Sequence, residues 1–215
     1  DPASIRLVAV SKGFGPEHIR AAAAAGQRDF GENRVQEALQ KIGAAADLGI
    51  TWHLVGHLQS NKVRKAVGPF RWIHSVDRAE LLVRLEQAAA AAGAPLRVLV
   101  QVDLAGEPTK FGAPPAEARR IVEAAAGCRA VELAGLMVLP PFAEDPEVVR
   151  PYFARLRELR DEFVREGAAP AGALAELSMG MSHDFEVAIE EGATMVRVGT
   201  AIFGPRPETA GGVRA

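Results

Sequence analysis

Lys12 ends an apolar run, "IRLVAVSKGF" over residues 5–14, and is the first side chain in the sequence whose position asks for a chemical explanation. Taken singly, a lysine at a strand end is ordinarily a solvated charge. To act as a nucleophile its amine must be neutral, so its pKa must fall from about 10.4 through desolvation or a neighbouring cation. The apolar run supplies the first, and Arg197 in "VRVGTAIFG" (196–204) is a candidate for the second. Two segments carry residues that suit an anion. "LSMGMSH" (177–183) sets Ser178, Gly180 and Ser182 at a strand-to-helix turn, where Ser182 is placed to cap the following helix. "VRVGTAIFG" ends a strand on Gly199 and Thr200. Unpaired N–H groups at helix starts, with small hydroxyls and glycine, cradle phosphate. Ordinary turns use the same residues, so spacing alone leaves both readings open.

The elements that must position these residues follow from hydrophobic period. Strands are expected at 5–11, 28–32, 51–56, 71–76, 96–104, 131–139, 174–180 and 193–199. Helical patterns lie between them at 15–26, 33–43, 59–68, from 77 into the alanine tract at 88–92, 114–127, 145–167 and 182–192. Asp77 and Glu80 have capping-box spacing. Parallel strands need crossovers, so eight strand–helix units imply an α/β fold. A single closed (β/α)8 TIM-type barrel over residues 1–215 is the expected architecture, with an open doubly wound sheet as the alternative.

In such a barrel the chemistry sits where strands end, and the loops after strands seven and eight are the frequent phosphate site. "LSMGMSH" and "VRVGTAIFG" are those two ends, and strand eight would adjoin strand one and Lys12. A lysine beside a two-loop phosphate cradle suits pyridoxal 5′-phosphate (PLP).

The segments "AVSK", "FGENRVQEALQK", "WHLVGHLQSNK", "IHSVDR", "GLMVLPP" and "LSMGMSHDFEVAIEEGATMVRVGTAIFG" resemble, in order and over essentially the whole chain, the pyridoxal phosphate homeostasis protein family. That family's barrel is similar to the N-terminal barrel of alanine racemase, a fold-type III PLP-binding domain. The resemblance implies that Lys12 forms the PLP aldimine and Arg197 faces the pyridine nitrogen. It implies that Ser178, Gly199 and Thr200 hold the phosphate, with Gly180 and Ser182 as further phosphate candidates and Asn33 on the cofactor side. No catalytic residue and no metal ligand is implied.

A permanent guanidinium opposite the pyridine nitrogen disfavours its protonation and weakens PLP as an electron sink. The chain ends soon after "FGPRPE", which leaves no room for the racemases' β domain and its tyrosine base, and Tyr152 is expected to pack. The expectation is therefore a carrier or buffer of PLP, with PLP-dependent apoenzymes as its partners and a monomeric state. A fold-type III racemase or decarboxylase is the alternative, and a sugar-phosphate barrel enzyme without PLP is a third reading. Many members of the family carry a second lysine where Phe14 stands here, while Lys110 matches another lysine near the mouth. The family also has a longer segment before the lysine strand, so a truncated N-terminus is expected.

Composition narrows the remaining classes. The chain has 215 residues, 48 % hydrophobic and 24 % charged, enough for a full core. A formal net charge of −2 offers no global field for nucleic acid or anionic membrane. No apolar run approaches the roughly 20 residues of a membrane span, and "DPASIR" lacks a signal-peptide pattern. Cys128 is the single cysteine, which excludes an intrachain disulfide and fits a cytoplasmic location. His53 and His57 stand four apart, but on a strand and loop rather than a helix, so no zinc site is expected. The basic stretch 60–71 reads as a solvated helix face.

Overall fold

The computed structural model describes residues 1–106, 111–170 and 172–205. Lys110 lies outside the described residues. Eight parallel strands close into a barrel in sequence order: β1 (Arg6–Val10), β2 (Asp29–Glu32), β3 (Thr51–Leu54), β4 (Trp72–Val76), β5 (Leu96–Val102), β6 (Val131–Val138), β7 (Glu176–Met181) and β8 (Met195–Val198). Closure is made by β1 pairing with β8, with Val8 opposite Arg197 and Ala9 opposite Val198. The open-sheet alternative is therefore excluded. The helices between strands are α1 (Pro16–Ala24), α2 (Val35–Ala44), α3 (Val63–Ala66), α4 (Ala79–Ala92), α5 (Pro115–Ala125), α6 (Arg150–Arg165) and α7 (Phe185–Glu190), and α8 (Thr200–Phe203) follows β8.

Why these segments fold this way is local. Pro16 and Pro115 start α1 and α5, where the missing N–H costs nothing. Gly93 closes α4 in the left-handed conformation at φ 58°, accepting no Cβ penalty. Between sheet and helices lies one continuous apolar layer in which Phe30, Ile73, Leu85, Phe153 and Leu156 are fully or almost fully buried. Tyr152 packs against that layer from α6.

Two local expectations fail. The helix expected over 59–68 is a 3₁₀ turn at Ser60–Lys62 followed by the short α3. Its apolar positions are too few to bury a longer face: over 59–68 only Val63, Ala66 and Val67 are buried. Asp77 does not cap α4, whose N-cap is Arg78 with no side-chain bond. The Asp77 carboxylate instead accepts from Arg78 at 2.6 Å and lies 3.3 Å from His57 Nδ1.

Candidate functional site

A cavity of about 630 Å³ opens at the C-terminal end of the barrel. Six of the eight residues singled out from the sequence line it: Lys12, Asn33, Ser182, Arg197, Gly199 and Thr200. Val10 and Val55 give it an apolar floor, and Phe111 and Phe142 stand exposed at its rim. Phe111 stacks on His57 with centroids 3.7 Å apart, and its carbonyl accepts from the Gln101 side chain. Phe14 is buried against Phe203, although its edge reaches the cavity.

Lys12 is half-buried on the turn after β1. A buried ionic cluster holds that turn from behind. Lys41, on α2, donates to Ser11 O at 2.9 Å, to Glu32 Oε1 at 2.7 Å and to Glu37 Oε1 at 2.9 Å. Ser11 Oγ donates to Glu32 at 2.6 Å, and the Gly13 N–H donates to Glu37 at 2.9 Å. Burial pushes the Glu32 carboxyl up, against the opposing pull of Lys41 and Ser11. Glu37 is also opposed by burial but ends lower than usual because Gly13 and Lys41 hold its anion. Removing either member of such a pair strands a buried charge. The residues either side of Lys12 are thus tied down while Lys12 itself faces the cavity.

Ser182 does not cap α7; that helix starts at Phe185, with Asp184 as its N-cap. Its hydroxyl oxygen instead accepts from the Gly199 and Ala201 N–H groups at 3.1 and 3.3 Å. Two backbone donors from the β8 loop therefore converge on one oxygen, the arrangement that suits an anion. A Cβ at Gly199 would sit 3.2 Å from Val10 O, so glycine lets this loop close onto the end of β1. Asn33 crosses the β3 end so closely that a Cβ at Gly56 would fall 2.3 Å from its carbonyl.

Ser178 and Gly180 are not in the cavity. Gly180 is buried at φ 90°, where a Cβ would strike Ala188 at 2.7 Å, so the β7–α7 turn requires glycine there. Ser178 is fully buried below Arg197, and its hydroxyl is already engaged: Arg197 donates to it at 2.6 Å, and His74 Nδ1 lies 2.9 Å away. Its hydroxyl, expected to hold the phosphate, contacts the arginine in this structure.

Ser178 opens a chain of hydrogen bonds through the barrel interior. His74 Nε2 meets His53 Nδ1 at 2.9 Å, and His53 Nε2 meets Asp29 at 2.9 Å, where Arg6 also donates at 3.1 Å. Burial lowers the pKa of both histidines, most strongly at His74, where His53, Arg197 and Arg6 add to the effect. Asp29 is opposed by desolvation but is held below its usual value by His53 and Arg6. With Asp29 ionised and acceptor-only, and both rings neutral, one proton arrangement satisfies every atom. His53 donates to Asp29, His74 donates to His53, Ser178 donates to His74, and Arg197 donates to Ser178.

Burial also pushes the Arg197 guanidinium down to about 10, against the pull of Asp184, and it remains a cation at neutral pH. Its second nitrogen donates to Val138 O at 2.9 Å. The group is fixed in plane and charge with one edge facing the cavity. Sequence separations of 19 to 104 residues hide this network from any local motif, although the histidines were visible individually. His53 is spent in it, while His57 stands at the mouth, so the two do not share a site.

With this geometry in view, the relatives are informative. Residues 3–207 match the family described as "Alanine racemase, N-terminal domain". The pyridoxal phosphate homeostasis protein of Aquifex aeolicus is 48 % identical over 201 residues, covering 94 % of this chain and 87 % of its own. The protein of the same name from Pseudomonas aeruginosa is 45 % identical, covering 96 % and 86 %. This chain belongs to the pyridoxal phosphate homeostasis protein family. Among solved structures, PipY of Synechococcus elongatus with PLP bound superposes with a TM-score of 0.89 at 45 % identity, over 95 % of this chain and 94 % of PipY. An alanine racemase of Clostridium difficile shares the fold at a TM-score of 0.72 and 17 % identity, over 96 % of this chain but 56 % of the racemase.

Proposed function

We propose that this protein binds PLP at the barrel mouth, with Lys12 as the tethering amine, and serves PLP homeostasis as a carrier or buffer rather than as a robust catalyst. The observation that carries this reading is the meeting of Lys12, Arg197 and the Ser182–Gly199–Thr200 loop pair around one cavity of about 630 Å³. The family membership and the PLP-bound PipY support it. PLP supplies an aldehyde that reacts with amines and a ring whose power to stabilise negative charge depends on protonation of its nitrogen.

This chain's residues set the limits on that power. Arg197 presents only donors and stays charged, so a ring nitrogen facing it is held as an acceptor. The relay to Asp29 keeps the guanidinium from swinging away. A phosphate between the β7 and β8 loops would be held by the Gly199 and Ala201 N–H groups, which converge on Ser182 Oγ, and by the Ser182 and Thr200 hydroxyls, with Asn33 lining the same cavity. Neither Tyr152 nor Cys128 lines the cavity, so neither stands opposite Lys12 as a second base. His183, which does line it, commits Nε2 to the Glu144 carbonyl at 2.7 Å. Monomeric action in the cytoplasm, passing PLP to apoenzymes, belongs to this proposal; among the described residues no helix is long and apolar enough to cross a membrane.

Incubating the PLP-loaded protein with a panel of L-amino acids and following chirality and decarboxylation tests the carrier reading. Spectral change without continuing turnover is the expected result. Sustained racemisation or decarboxylation at rates of a dedicated enzyme would contradict it.

A further inference from the structure

A second cavity, of about 510 Å³, opens at the other end of the barrel, among the N-terminal ends of β3 to β6. Its wall carries four arginines, Arg6, Arg71, Arg97 and Arg129, and a single carboxylate, Glu132. That concentration of positive charge is built on a chain whose net charge is −2.

Two of the four are compensated. Arg6 pairs with Asp29 at 3.1 Å, and Arg97 pairs with Glu132. Arg71 donates to the Pro95 carbonyl at 3.0 Å, and among the described residues no carboxylate pairs with Arg71 or Arg129. The inner pair is anchored against Trp72, which is 2 % exposed: the guanidinium carbons of Arg97 and Arg6 lie 4.6 and 5.5 Å from its ring centroid. Such contacts favour the cation and fix its plane. The Nε atoms of both are buried without a hydrogen-bond partner, an omission that ordinarily has a cause.

The positive groups are all guanidinium, the planar fork that bridges two oxygens of a phosphate, and none is ammonium. They surround a concavity instead of following a stripe, which disfavours a nucleic-acid backbone. The volume lies within the usual range for small-molecule sites, about 300–1,000 Å³, and exceeds the needs of one orthophosphate. We propose that this closed-end cavity binds a small molecule through a diphosphate group, with Arg71 and Arg129 at the rim and Arg97 and Arg6 within. The site lies at the opposite end of the sheet from Lys12 and does not rest on the PLP reading.

Calorimetric titration with inorganic pyrophosphate, using protein loaded stoichiometrically with PLP and desalted, and again without PLP, tests it. One pyrophosphate per chain is expected in both, at least about tenfold tighter than orthophosphate or citrate. The double variant Arg71→Gln/Arg129→Gln, both at exposed positions, should weaken pyrophosphate at least about tenfold while leaving the melting temperature and PLP spectrum unchanged. The chain has two tryptophans, and Trp52→Phe leaves Trp72 as the only indole, whose emission should follow the same titration. No binding, equal binding of citrate, or pyrophosphate affinity that survives the double variant would overturn the proposal. So would binding abolished by PLP loading, which would place the anion at the mouth, or a preference for a single-stranded oligonucleotide.

Discussion

The two faces of the barrel sheet are made of different chemistry. Outside, towards the helices, Phe30, Leu85, Phe153 and Leu156 belong to an apolar layer, interrupted by the buried Lys41–Glu32–Ser11 cluster between α2 and the ends of β1 and β2. Inside, where barrels ordinarily stack aliphatic layers, a chain from Asp29 through His53, His74 and Ser178 ends on Arg197. Apolar burial outside is non-directional and tolerates volume-conserving change. The inner chain is directional: each member fixes the proton of the next. The outer face holds the fold, and the inner face holds one charge in one orientation at the mouth.

Deleting side chains from each face should separate these roles. Phe153→Ala, in the outer layer, should lower unfolding free energy by about 3–5 kcal/mol. PLP affinity per folded molecule should be unchanged, read by urea denaturation and absorbance titration. A large affinity loss there would erase the division of labour.

His74→Phe, in the inner chain, takes one partner from Ser178, still held by Arg197, and leaves His53 Nδ1 unsatisfied beside its bond to Asp29; it should cost about 1–3 kcal/mol at pH 7. Its pH dependence carries the sharper information. His74 is depressed in the folded state by burial first, so the unfolded chain binds the proton more readily below about pH 6.5. Wild-type stability therefore falls as pH drops through that window, by up to about 1.4 kcal/mol per unit for this residue. The gap between wild type and His74→Phe should narrow from pH 7 to pH 5.5 in urea melts. A constant gap would mean that His74 titrates normally.

The smallest effect is the most selective. Ser178→Ala should weaken PLP by roughly tenfold through loss of the Arg197 anchor, and should weaken pyridoxal, which has no phosphate, equally. Thr200→Val should weaken PLP and spare pyridoxal. If Ser178→Ala spared pyridoxal too, Ser178 would be a phosphate contact after all.

This contrast also explains what was legible in the sequence. The outer layer writes itself into hydrophobic period, so all eight strands and the strand-one to strand-eight neighbourhood of Lys12 and Arg197 could be read before any coordinates. The cavity residues at strand ends followed from the fold. The inner chain did not, because Ser178 looks like any turn serine until His74, 104 residues away, is seen beside it. Asp77 misled for the opposite reason: a good local spacing lost to the nearby Arg78 and to His57, which the fold brings alongside. The Lys41–Glu32 pair behind Lys12 was likewise hidden, since a lysine on a helix ordinarily reads as solvated.

We propose Lys12, and not the buried Lys41, as the amine that carries PLP. Borohydride reduction of the yellow PLP-loaded protein, followed by peptide mass mapping, tests it directly. One reduced adduct on Lys12 is expected, absent in Lys12→Ala even though that variant folds. A protein that takes up no PLP, or an adduct of equal yield in Lys12→Ala, would contradict it.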